Sequence, residues 1–113
     1  MIRIIHNPRC SKSRQGVALL EDSGKEFTIV SYLKEPLTKQ ELVSILKKLE
    51  MEPLELVRKN ESIWKENYKG KSLSNSEIID AMLENPKLIE RPVVINQEKA
   101  VIGRPLENIY TIL

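Results

Sequence analysis

The chain has 113 residues, close to the usual size of one domain and long enough for a single core without disulfides. Its 18 basic and 16 acidic side chains leave a net charge of +2, too small to argue nucleic-acid binding from bulk electrostatics. One cysteine excludes an internal disulfide, and hence a stapled secreted scaffold. No apolar run approaches membrane-span length and the N-terminus lacks a signal-peptide pattern, so a cytoplasmic protein with no membrane contact is expected.

The apolar run Ile2 to Ile5 reads as a strand. Asn7-Pro8 marks a turn, because the residue before proline is pushed out of the helical region. Ser11 to Ser23 then reads as a helix, with Gly24 placed to stop it. Cys10 therefore falls at or just before a helix N-terminus. The first N–H groups of a helix lack intrahelical partners and the macrodipole is positive there, so a thiolate is favoured over a thiol. Arg9, Lys12 and Arg14 add positive charge. Such a cysteine can ionise well below the free value of about 8.5, and the same N–H groups form an anion site. A structural cysteine usually has apolar neighbours; this one has Arg9, Ser11, Lys12 and Ser13.

Phe27 to Tyr32, rich in β-branched and aromatic residues, reads as a second strand that completes a parallel βαβ unit. Thr38 and Glu41 form a capping box, opening a helix with Leu42, Ile45, Leu46 and Leu49 on one side. Pro53 suits the first turn of a short helix over Leu54 to Val57. Between Glu61 and Tyr68 the pattern is weaker, although Trp64 and Tyr68 are spaced to share a helical face. Ser74 and Glu77 form a second capping box, before Ile78, Ile79, Met82 and Leu83. Asn85-Pro86 ends that helix. Arg91 to Asn96 and Ala100 to Ile102 read as strands joined by a turn at Gln97-Glu98-Lys99. Pro105 is suited to the first position of a last helix, Leu106 to Ile112. The order predicts a single α/β domain over 1–113, with a helical insertion at about 38–86 and a mixed four-stranded sheet. Most lysines, including Lys47-Lys48 and Lys69 to Lys71, read as solvated faces, as do Lys12 and Arg14.

The motifs His6-Asn7-Pro8-x-Cys10-x-x-Ser13-Arg14, Leu56 to Asn60, Glu90 to Val94 and Gly103-Arg104-Pro105 resemble the glutaredoxin-dependent arsenate reductase family. That family is paralogous to regulators of the Spx type. The resemblance spans nearly the whole chain and implies a thioredoxin-like fold. It implies Cys10 as nucleophile and Arg58, Arg91 and Arg104 as oxyanion-binding residues. It also implies that Pro92 is cis and lies beside the cysteine, and that His6 and Ser13 help to lower the thiol pKa. Arsenate would be the substrate and glutathione the co-substrate, with glutaredoxin as partner. No bound cofactor or metal is expected, and a monomer is. Three guanidinium forks suit a tetrahedral oxyanion, and removing one donor from such a clamp typically costs about 3–4 kcal/mol. Two alternatives share the fold: a generic glutathione-linked thiol reductase, and an Spx-like regulator that binds RNA polymerase. The second is disfavoured by Ser13, which stands where many such regulators carry a second cysteine.

Overall fold

A computed structural model describes residues 1–113. It divides into two compact units, one formed by Met1–Glu35 with Arg91–Leu113 and the other by Pro36–Glu90.

The first unit contains β1 (Ile2–Ile5), α1 (Ser11–Asp22), β2 (Phe27–Val30), β3 (Val93–Asn96), β4 (Lys99–Ile102) and a C-terminal 3₁₀ helix, Leu106–Ile112. Its sheet has the order β2-β1-β3-β4. β1 pairs parallel with β2 and antiparallel with β3, and β3 pairs antiparallel with β4. This is the mixed, four-stranded sheet of a thioredoxin-like fold. The two central strands are buried on both faces, which is why β1 and β3 read as nearly unbroken apolar runs. Ile2, Ile4 and Val94 pack against Leu19 and Leu20 of α1 and against Ile109 of the 3₁₀ helix. α1 stops at Asp22, with Ser23 as C-cap and Gly24 at φ +72 beyond it, the left-handed position that glycine takes without a Cβ penalty.

The helix after Glu52 runs over Pro53–Leu56 and leaves out Val57, which is extended and bridges Ile89, and other boundaries also differ from the sequence reading. β2 ends at Val30, because Ser31 O accepts hydrogen bonds from Lys34 N and Glu35 N and turns the chain. β3 begins at Val93, after a cis Arg91–Pro92 bond. The hairpin loop has two residues: Asn96 pairs with Lys99, and Gln97 takes a φ of 57, the left-handed conformation usually left to Asn or Gly. Pro105 precedes the last helix as its N-cap, with extended ψ and a cis Arg104–Pro105 bond.

The second unit holds α2 (Lys39–Leu49), α3 (Pro53–Leu56), α4 (Ser62–Asn67), α5 (Asn75–Glu84) and a 3₁₀ turn, Pro86–Leu88. Both predicted capping boxes are closed, at Thr38 with Glu41 and at Ser74 with Glu77. Leu42, Ile45 and Leu46 are buried on α2, and Ile78, Ile79, Ala81 and Met82 on α5. Trp64 and Tyr68 share a face, their rings stacked with centroids 5.4 Å apart. An antiparallel bridge, Val57 to Ile89, closes the unit beside Arg58.

Pro92 sits in a tight place in the first unit. A Cβ on Gly16 would lie 3.2 Å from Pro92 Cγ, and one on Gly103 would lie 2.9 Å from it and 3.1 Å from Ile109 Cδ1. Gly103→Ala is therefore expected to overpack this contact and lower stability by about 1–3 kcal/mol. Urea denaturation should show a reduced midpoint at an unchanged m-value.

Candidate active site

The loop after β1 is built by its own side chains. Asn7 Oδ1 accepts from Arg9 N at 3.0 Å, and Asn7 O accepts from Cys10 N at 3.0 Å, so the chain turns at Asn7-Pro8 before α1 starts. Arg14 is exposed, as expected, and in addition donates Nη1 to Pro8 O at 2.8 Å, clasping the loop from the first turn of α1. Ser13 is fully buried. Its Oγ accepts from Asn7 N at 3.0 Å and lies 2.6 Å from His6 Nδ1. His6 therefore reaches the loop through Ser13 Oγ.

Cys10 is the N-cap of α1, with extended φ and ψ, and its carbonyl accepts from Arg14 N at 3.0 Å. The side chain is only 8% exposed. An N-cap side chain faces the unpaired N–H groups of the second and third helical residues, here Lys12 and Ser13. No capping hydrogen bond is closed, yet both N–H groups act on Sγ.

Burial is the largest influence on the thiol and raises its pKa. It is outweighed by the Ser13 N–H, by the hydrogen bond and charge of the Arg91 guanidinium, and by the Lys12 N–H, so the pKa lies below the ordinary thiol value. Arg104 adds a direct contact, with Nη2 3.4 Å from Cys10 Sγ. Its Nε donates to Arg91 O at 2.8 Å, and Gly103 N donates to Pro92 O at 2.8 Å. The two arginine-proline segments are thus fastened to each other. Burial, and then the Arg14 charge, hold His6 below the ordinary imidazole value, against the opposing hydrogen bond with Ser13.

Of the predicted site residues, Cys10, Arg91, Arg104, His6, Ser13 and Pro92 all lie in the sheet-bearing unit, and the two arginines meet at the sulfur. Arg58 belongs to the helical unit. There its Nη1 lies 2.9 Å from Glu61 Oε1 and its Nε 3.7 Å from Glu90 Oε1, while its backbone N donates to Leu88 O at 2.7 Å. No cluster of three His, Cys, Asp or Glu side chains is arranged to hold a metal among the described residues. The sequence reading missed two contributions. Arg14 clasps the loop, although a helix-borne arginine four residues after a turn is an ordinary surface pattern. Asn108 Nδ2 donates to Ile102 O and Arg104 O, and the only local signal was an asparagine shortly after Gly-Arg-Pro.

A β-α-β and β-β framework, with one thiol at the N-cap of α1 and an arginine preceding a cis-proline, defines a thioredoxin-like protein. A family model described as the ArsC family matches residues 5–112. The chain is 46% identical over 114 residues to the uncharacterized protein YfgD of Escherichia coli, an alignment covering 99% of this chain and 96% of that one. It is 44% identical over 112 residues to an arsenate reductase of Haemophilus influenzae, covering 97% of each. A solved arsenate reductase from Vibrio cholerae superposes with a TM-score of 0.95 at 40% identity, over 99% of this chain and 97% of that one. The chain belongs to the ArsC family.

Three outcomes follow from the electrostatics and the loop. Alkylation by iodoacetamide, followed against pH, should reach half its maximal rate below the ordinary thiol value of about 8.5. Arg91→Ala should move that midpoint upward, since it removes both a hydrogen bond and a charge from the thiolate. The linkage has a definite sign: ionised Cys10 stabilises the fold fully above the unfolded pKa, and this is lost as pH falls through the lower folded value. Ser13→Ala leaves the N–H on Sγ but strands the Asn7 N–H, so urea unfolding should show a loss of about 1–3 kcal/mol.

Proposed function

We propose that the protein is an arsenate reductase that uses Cys10 as nucleophile, glutathione as co-substrate and glutaredoxin as partner. The observation that carries the proposal is the thiol at the start of α1, with Arg104 Nη2 3.4 Å from Sγ and the Arg91 guanidinium lowering its pKa. The relatives named arsenate reductase supply the oxyanion.

Arsenate near neutral pH carries one or two negative charges, and a thiolate cannot approach it without compensating positive charge. Arg91 and Arg104 supply permanent charge and planar forks, and the open N–H groups of α1 supply further donors. Arg58 is assigned as the third oxyanion-binding arginine on the resemblance alone. The Cys10 thiolate attacks arsenic(V) and forms a sulfur–arsenic bond, while an arsenic-bound hydroxyl leaves with a proton as water. The glutathione thiolate then attacks Cys10 Sγ. The electron pair of the sulfur–arsenic bond passes to arsenic, which departs as arsenite, and a Cys10–glutathione disulfide remains. A glutaredoxin thiol takes the glutathionyl group and frees the Cys10 thiolate. With one cysteine in the chain, the resolving thiol comes from outside. A reducing cytoplasm is the compartment that suits this exchange.

With purified protein, glutathione and glutaredoxin, arsenate-dependent thiol oxidation is expected, and Cys10→Ser should abolish it. Arg91→Ala and Arg104→Ala should each lower kcat/KM by about 10²–10³. Turnover of a glutathionylated disulfide without turnover of arsenate would sink the proposal in favour of a general thiol reductase. Replacing glutaredoxin by thioredoxin tests the donor.

A further inference from the structure

Arg104 is an exposed residue whose guanidinium must lie against a nearly buried sulfur. A long, solvent-facing side chain reaches such a place reliably only if its backbone is held. The backbone here is a turn between β4 and the C-terminal 3₁₀ helix, beginning at Gly103. One side chain closes that turn. Asn108 Nδ2 donates to Ile102 O at 3.2 Å and to Arg104 O at 3.2 Å, and so ties together the residues on either side of Gly103. Both partners are carbonyl acceptors, so the amide nitrogen and not the amide oxygen must face them.

Asn108 is itself held from two directions. Its backbone N donates to Pro105 O at 3.0 Å, and its carbonyl accepts from Thr111 Oγ1 at 2.6 Å. The next residue, Ile109, is fully buried and packs where a Cβ on Gly103 would intrude. The 3₁₀ helix is therefore anchored in the core, and Asn108 transmits that anchorage to the Arg104 backbone.

We propose that Asn108 is a positioning residue for Arg104, fastening the Ile102–Arg104 turn so that the guanidinium stays against Cys10 Sγ. This deepens the reading of the site given above and rests on the same sulfur-arginine contact. Its test uses no arsenate, so failure of the arsenate assignment and failure of the Asn108 assignment are separable.

The test compares two alkylating probes on the full chain at low salt: neutral iodoacetamide and anionic iodoacetate. Both require the thiolate, so their rate ratio reports the positive field at Sγ and cancels the thiolate fraction. A guanidinium at the sulfur attracts the anionic reagent. Arg104→Gln should lower the iodoacetate-to-iodoacetamide ratio by about fivefold, by the loss of that local charge. Asn108→Ala should lower it by about threefold, a part of the same effect. In the Arg104→Gln background, Asn108→Ala should change the ratio no further, because non-additivity is the mark of two residues acting through one contact. A merely loosened fold would raise both rates together and leave the ratio alone. The proposal is overturned if folded Asn108→Ala keeps the wild-type ratio, or if its effect persists undiminished without Arg104. Should Asn108→Ala not fold, Asn108→Leu, which keeps the side-chain size and removes the donor, is read in the same way against the same two outcomes.

Discussion

A sulfur that is nearly buried and yet held below the ordinary thiol pKa is the constraint on which the sheet-bearing unit depends. Burial pushes the Cys10 thiol toward its neutral form, so every donor that reverses the balance must already be in place. Two of those donors are backbone N–H groups of α1, and their direction is set by the loop before the helix. Asn7, Arg14 and Ser13 hold that loop through bonds to Arg9, Pro8 and Asn7 respectively. The remaining charge comes from arginines at the far end of the chain. Their arrival at α1 depends on packing: Pro92 fits between Gly16, where a Cβ would be tight at 3.2 Å, and Gly103, where one would intrude at 2.9 Å. Size at these two positions thus bears directly on the electrostatics of the thiol.

The helical unit follows a different logic. Its helices are short, and capping satisfies N–H groups at the starts of α2 and α5. Its candidate functional residue, Arg58, follows directly on the Val57–Ile89 bridge, so its backbone is pinned. Its side chain meets Glu61 and Glu90 while a quarter of it remains exposed. Ion pairs this accessible are worth about 0–1 kcal/mol each. Two of them can order a guanidinium and mask part of its charge.

The thiol is thereby a chemical instrument of restricted kind. It has no second cysteine on the chain, and His6, whose pKa burial and the Arg14 charge hold below the ordinary imidazole value, is linked to the loop through Ser13. Its charge environment is positive and aimed at one side. These properties are those of a single thiol set among positive donors. They explain why the motif residues cluster around Cys10 and at the two arginine-proline steps, while the other lysines remain ordinary surface charge.

Much of this was present in the sequence because the interactions concerned are local. Capping boxes join residues three apart, so Thr38-Glu41 and Ser74-Glu77 announced α2 and α5. The alternation of apolar runs with helical spacing gave the βαβ unit, and Cys10 could be placed at a helix start from its neighbours alone. Tertiary structure decided the rest. That Arg104, 94 positions away, reaches the sulfur depends on sheet register and on the packing around Pro92. That Arg14 turns back onto Pro8 and Asn108 spans the Arg104 turn depends on the final course of the backbone. A hydrogen bond between near neighbours is written in the identity of a few adjacent residues. A contact between distant segments exists only once the core has chosen how those segments lie, and the whole chain makes that choice.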